Sequence, residues 1–363
     1  MLLSWYRTRA TVANCRNTTP AIGCSRRFDG SPQWQLPLPL KPQAVSIAAQ
    51  MRFFGTKSLI GQTILQIHGI LTSPALGADS SLFPSAAEKA YIHMLIRLGY
   101  ELQFEVPEPV AFVTMLHVHP SRESDLLEPD EMTVTPHARC DSYIDTFGNR
   151  CTRFKADAGM VQLKGSTLVR DSGELDPIPF HASAVPVDAL PHETLVYLMN
   201  SRYCEVDRLS GIALDLFGGY APGLERVQAI NNWVHNKVVF GYSYARPTKT
   251  ALDVFTERLG VCRDFQHLAV TFCRALNIPA RYATGYLGDI GVPLLLPMDF
   301  SAWYEVYLGE RWWTFDARHN RPRIGRVLMA VGRDASDVAI TTSFGVANLK
   351  YFYVVTDEVK ENQ

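Results

Sequence analysis

The sequence predicts an α+β protein: an antiparallel β-rich part, sandwich-like by its short, evenly spaced strands, leads into a core of helices followed by an antiparallel sheet. Three observations carry this. Tyr100, Leu102, Phe104 and Val106 alternate with Glu101, Gln103 and Glu105, the period of a half-buried strand. Leu224, Val227, Ile230, Asn231, Val234 and Val238 recur at helical spacing, and so do Phe265, Leu268, Ala269, Phe272, Ala275 and Leu276. Beyond them, Ala302 to Leu308 and Arg311 to Phe315 read as a hairpin turned at Gly309-Glu310, so strands follow helices in blocks rather than alternating singly.

Taken in order, residues 1–93 are the least informative. Five arginines against one acid in the first forty residues resemble a targeting leader in composition, but no apolar core of signal-peptide length accompanies them. Pro32, Pro37, Pro39 and Pro42 interrupt any period, and the stretch reads as a poorly ordered or mis-annotated extension, with Met51 or Met94 as alternative starts. A β-rich domain is expected over 98–185. Its strand candidates after the first are Val110 to Val118, Met132 to Thr135, Arg139 to Phe147, Arg150 to Lys155, Met160 to Leu163 and Thr167 to Arg170, with Gly148-Asn149 as a hairpin turn. Pro177, Pro179, Pro186 and Pro191 mark a linker, and the core is expected over 195–358. There Pro222-Gly223 opens one helix and Thr250 caps a second that ends at Gly260. The third begins at Cys262 and closes at Ile278-Pro279. Arg281 to Leu287 reads as a strand, Gly288 to Pro297 as a loop, and Tyr351 to Val355 as one more strand.

Composition bounds function loosely. The chain is 47% hydrophobic and 20% charged, with a formal net charge of −1, which suits a globular protein and offers no nucleic-acid face. No apolar run approaches the eighteen or so residues of a membrane span, so no membrane partner is expected. Seven cysteines, at 15, 24, 140, 151, 204, 262 and 273, are scattered without disulfide or zinc-ribbon spacing, and fit a reducing, cytoplasmic compartment. His117, His119, His137, Cys140 and Cys151 come nearest to a metal set but complete no recognised ligand spacing, so neither metal nor cofactor is expected.

Cys262 stands at the first turn of its helix, where the positive end of the helix dipole and free N–H groups favour a thiolate. A small apolar residue filling a core corner is the ordinary alternative for a free Cys. The surrounding motifs decide between them. Gly260-Val261-Cys262-Arg263-Asp264-Phe265, Ile278-Pro279-Ala280-Arg281-Tyr282-Ala283-Thr284-Gly285-Tyr286, Ala302-Trp303-Tyr304-Glu305-Val306-Tyr307 and Trp312-Trp313-Thr314-Phe315-Asp316 together resemble the bacterial transglutaminase-like superfamily. The resemblance covers roughly 98–358. It implies a papain-like α+β core with Cys262 as nucleophile and Asp316 as the carboxylate that orients a His. It also implies attack by the thiolate on an amide carbonyl of a protein or peptide substrate, through a thioester resolved by water or an amine.

The departure is at the His. Where that family has His-Ala-Trp, this chain reads Ser301-Ala302-Trp303. If Leu308 pairs with Arg311, then 303 pairs with 316, and Ser301 and Asp316 share one sheet face about 7–8 Å apart, a gap that a hydroxymethyl cannot span. Ser has no pKa that lets it accept a thiol proton near neutrality. His267 lies about 140° around the helix from Cys262 and points away. His319, were the strand to persist, would face away from Asp316, although a bend is expected there; it reads as a structural His, with a stand-in base as the alternative, and Arg318 as the partner of Asp316 or of a neighbouring carboxylate. Trp303, Trp312, Trp313, Tyr304 and Tyr307 read as core, as does Cys273, roughly 16 Å along the helix from Cys262. Two functions follow: a cysteine-dependent amidase, peptidase or acyl transferase using Cys262 and Asp316 with Ser301 at the His position, or a weak or inactive module of the same fold that binds peptides or serves as a scaffold.

Overall fold

The computed structural model describes residues 6–8, 94–180, 182–295 and 297–359. The expectation for residues 1–93 therefore lies outside the described residues, apart from the strand Tyr6–Thr8, which runs parallel to Thr341–Ser343.

The alternation at Tyr100 belongs to a thirteen-residue strand, Met94–Val106, whose even-numbered residues from Ile96 to Val106 are buried. It pairs antiparallel with Gly159–Asp171, so the two short strands expected at 160–163 and 167–170 are one. Met132–Thr135 borders that strand on its other side, and Asn348–Val359 borders Met94–Val106. A second sheet sets Thr341–Ser343, Val110–Thr114, Arg150–Ala156 and Asp141–Ile144 side by side. Gly148, at φ 85°, sits in the turn between the last two strands, a backbone region where glycine costs nothing. Both β-rich sheets thus take a strand from beyond residue 340. The periodicity at 351–355 indicates a strand but not its partner, because pairing across more than two hundred residues leaves no local trace.

Four helices form the other part. Val206–Phe217 (α1) is absent from the expected elements, although Leu209, Ala213 and Phe217 bury one face at i, i+4, i+8. Leu224–Lys237 (α2) follows Gly223, at φ 115°. Ala251–Glu257 (α3) carries a reciprocal cap: Thr250 Oγ1 accepts from the Asp253 N–H at 3.4 Å, and Asp253 Oδ2 accepts from the Thr250 N–H at 3.0 Å. Cys262–Ala275 (α4) is the central helix. Every residue from Cys262 to Arg274 is buried, so the single apolar stripe expected from periodicity is corrected: the helix is enclosed on all sides.

Enclosure is tolerable because nearly all the polar side-chain atoms of α4 are bonded, His267 Nδ1 being the exception among the described residues. Asp264 Oδ2 accepts from the Val261 N–H at 3.0 Å, and Asp264 also holds Arg263 at 3.0 Å. Arg274 donates to the carbonyls of Ala280, Met199 and Arg333. The Ala335 N–H donates to His267 Nε2 at 3.1 Å, which requires that nitrogen to be unprotonated and marks His267 as a structural histidine. On the apolar side Phe272 meets Phe217, Trp233 and Phe255 edge-on at centroid distances of 5.2, 5.5 and 6.1 Å, pairs worth about 0.5–1.5 kcal/mol each beyond area burial.

The core sheet runs in the order Arg311–Phe315, Ser301–Leu308, Ala280–Leu287, Arg326–Gly332, all antiparallel. The hairpin register is the expected one: Leu308 pairs with Arg311 and Tyr304 with Phe315 across Gly309, whose φ is 63°. Arg326–Gly332 is a further strand, not among those expected. Two apolar cores meet at the start of α4. Phe265, Leu268 and Ala269 pack with the helices and with Tyr304 and Val306, whereas Cys262 packs with Tyr282, Ala302 and residues of the β-rich sheets.

Candidate active site

Cys262 stands at the first turn of α4, as the sequence indicates, with Val261 as the N-cap in extended conformation. Its electrostatics differ from expectation. Cys262 is only 4% exposed, and burial pushes its thiol up to about 12, with Asp299 and Asp264 adding to that shift and Arg318 opposing it. Desolvation outweighs the helix end, because a thiolate loses more by leaving water than a few N–H dipoles return. In this structure the resting group is the neutral thiol.

One turn along the same face, Gln266 ties the helix to the end of the hairpin. Its Nε2 donates to Asp316 Oδ1 at 3.1 Å and to the Ala302 carbonyl at 3.1 Å, and its Oε1 accepts from the Ala317 N–H at 3.1 Å. Gln266 is not among the residues the sequence singles out, although i+4 from a helix-start nucleophile is the position that shares its face.

Asp316 follows directly on the strand Arg311–Phe315, and there the chain turns instead of continuing. The Asn320 N–H donates to the Asp316 carbonyl at 2.8 Å, and Asn320 takes φ 52°. The turn folds His319 back onto the carboxylate. His319 Nδ1 lies 2.8 Å from Asp316 Oδ2, and the N–H groups of Arg318 and His319 donate to Oδ1 at 3.0 and 3.1 Å. The expected bend is present, and it brings His319 to Asp316, where a continuing strand would have turned it away. Of the two partners expected for Arg318, Asp316 is corrected: the Arg318 guanidinium lies over the Phe240 ring at 3.9 Å and acts on the Asp299 carboxyl, whereas Arg326 Nη2 reaches Asp316 Oδ2 at 3.1 Å. Burial alone would raise the Asp316 pKa, but the charge of Arg326 and the bonds from His319 hold it well below the usual carboxylate range. An ionised carboxylate can only accept, so His319 Nδ1 carries a proton, and in the neutral ring Nε2 keeps its lone pair.

Ser301 is 5% exposed, and its Oγ has no hydrogen-bond partner among the described residues. The ladder keeps the expected register as far as Tyr304 and Phe315, one residue short of setting 303 opposite 316. What Ser301 does share with His319 is a cavity of about 180 Å³, lined also by Phe240, Tyr242, Asp299 and Arg318. A short side chain at 301 leaves space beside an imidazole supplied from 319.

Asp299, two residues before Ser301, belongs to none of the sequence motifs. Its carboxyl is raised to about 7, chiefly by burial, with the Phe300 N–H and Arg318 pulling the other way, and its Oδ1 has no partner among the described residues. Unfolded, this carboxyl loses its proton near pH 4; folded, it keeps it to about pH 7. Stability is thus withdrawn as pH climbs across that window. Asp299→Asn is expected to gain stability relative to the native chain between pH 4 and 7, on the order of 4 kcal/mol, and to hold a constant advantage above. Urea denaturation of both proteins at pH 5 and pH 8 checks this; an equal difference at the two pH values refutes it.

A central helix carrying a cysteine at its start, packed on an antiparallel sheet whose hairpin ends in a carboxylate, defines an α+β protein with a transglutaminase-like core. The Transglutaminase-like superfamily model matches residues 211–317, which hold both Cys262 and Asp316. The crystal structure of a candidate cysteine protease from Cytophaga hutchinsonii superposes with a TM-score of 0.65 at 30% identity, over 75% of this chain and 92% of that one. An uncharacterized protein of Mycobacterium leprae is 26% identical over 215 residues, 56% of this chain and 75% of its own. The chain belongs to the transglutaminase-like superfamily.

Proposed function

We propose that this protein is a cysteine-dependent amide hydrolase or acyl transferase acting on protein or peptide substrates, with Cys262 as nucleophile and His319, held by Asp316, as the imidazole that position 301 lacks. The observation that carries this is the 2.8 Å bond from His319 Nδ1 to Asp316, beside Ser301 in one cavity. As substrate binds, the Cys262 S–H proton passes to His319 Nε2 and sulfur bonds to the carbonyl carbon. The Cys262 N–H, at the helix start, faces the developing oxyanion. The C–N bond then breaks, the amine leaves with the proton from His319, and water or a second amine resolves the thioester. Asp316 stays ionised throughout and steadies the imidazolium. Cys140, Cys151, Cys204, Cys262 and Cys273 are all free thiols, which supports the reducing, cytoplasmic setting we assign. Among the described residues no helix is long and apolar enough to cross a membrane.

The seclusion of the Cys262 thiol favours the second reading, a peptide-binding module without turnover. Acid quenching during incubation with a proteome-derived peptide mixture separates the two. The enzyme reading expects an acyl adduct on Cys262, released by hydroxylamine and absent from Cys262→Ala. Peptide retention with neither adduct nor cleavage would establish the module instead.

A further inference from the structure

A second cavity, of about 440 Å³, adjoins the one that Ser301 and His319 share, between the loop that follows Leu287 and the strand Asn348–Val359. The two share Tyr242, Pro297, Met298 and Asp299, so they are neighbours along one wall, and Asp299 and Tyr242 lie within electrostatic range of Cys262. Its walls are apolar, formed by Leu294, Pro297 and Met298 on the loop side and by Phe352 and Val354 on the strand side. The loop is fastened to that strand, since the Thr356 N–H donates to Met298 Sδ at 3.4 Å, and Phe352 sits edge-on to Phe300 at 5.8 Å. Asp299 and Asp357 are the carboxyls on its lining, which disfavours an acidic occupant.

Resting on the amide-cleaving reading above, we propose that this cavity is a substrate subsite and that it takes a large apolar side chain, such as Leu, Met or Phe, next to the scissile amide. Size and lining match the usual character of a side-chain or ligand pocket, concave and mainly apolar with few polar groups. The strand Asn348–Val359 then has two duties, closing the β-rich sheet through Met94–Val106 and walling the subsite.

The test is cleavage-site profiling of the full chain with a mixture of proteome-derived peptides. One position beside the cut should be enriched in Leu, Met and Phe, with a preference over Ala of about tenfold or more in kcat/KM on matched synthetic peptides. Leu294→Asp, in an exposed part of the wall, should collapse that ratio; Leu214→Asp, equally exposed but on α1, should leave it intact. Cleavage that depends on Cys262 yet shows no apolar enrichment, or that favours Lys or acidic residues at every flanking position, overturns the subsite and leaves the enzyme reading standing. Cleavage unaffected by Cys262→Ala overturns both.

Discussion

His319→Ala is expected to lower amide turnover by about 10²–10⁴-fold, the usual worth of a positioned acid–base group. The loss should fall on kcat more than on KM, because in the proposed mechanism the imidazole moves protons and does not grip substrate. His319 is partly exposed at the end of its turn, so its removal spares the core. Placing Ser301→His in the same chain should return part of the activity, since a ring on the strand Ser301–Leu308 enters the same cavity from the other side. Rescue of that kind separates a proton-transfer role from a structural one: an imidazole needed only to brace the turn could not be replaced from another strand. An activity for His319→Ala within about threefold of the native chain would remove His319 from the mechanism.

The largest stability effect is expected at Asp316. Asp316→Ala leaves Arg326, whose side chain is 6% exposed, with Asp176 as its remaining carboxylate, and strips acceptors from Gln266, His319 and two backbone N–H groups. Breaking a buried ion pair from one side costs about 3–5 kcal/mol, because the surviving charge remains out of water. For a folded region of this size that lowers Tm by roughly 6–15 °C. Asp316→Asn keeps the shape and one acceptor and should lose less, about 1.5–3 kcal/mol. The sign with pH follows from the lowered pKa: the ionised Asp316 stabilises fully above the unfolded carboxyl's value near 4, and the contribution drains away as pH falls toward the folded value. Native and Asn-substituted proteins should therefore converge in stability under acid. Thermal melts at pH 7 and pH 3 measure both effects; an Asp316→Ala variant melting within about 2 °C of the native chain would contradict them.

Much of this site is legible in the chain itself. Gly260 and the periodicity after it place Cys262 at a helix start, and a two-residue turn at Gly309-Glu310 sets the pairing of Tyr304 with Phe315. The bend at His319 is expected from the sequence, but not that it folds the ring back onto Asp316. Asp316, with N–H groups two and three residues on bonded to its own carboxylate, and Asn320 in the left-handed region form a turn whose residue types are those that favour one. The raised pKa of the Cys262 thiol is not legible, because it comes chiefly from burial in a core assembled from strands distant in sequence as well as near. The same holds for Asp299, which looks like a loop acid until its burial is known.

The pairing of Leu95 with Val359 carries a consequence for biosynthesis. When Met94–Val106 leaves the ribosome, the neighbour that will cover one of its edges is more than two hundred residues from being translated. A nascent chain interrupted before Asn348 exposes a thirteen-residue strand with open backbone groups, a template for aggregation that a holdase must shield. Completion of the cavity that this strand walls is accordingly tied to near-completion of translation, so products truncated before Asn348 would lack that wall.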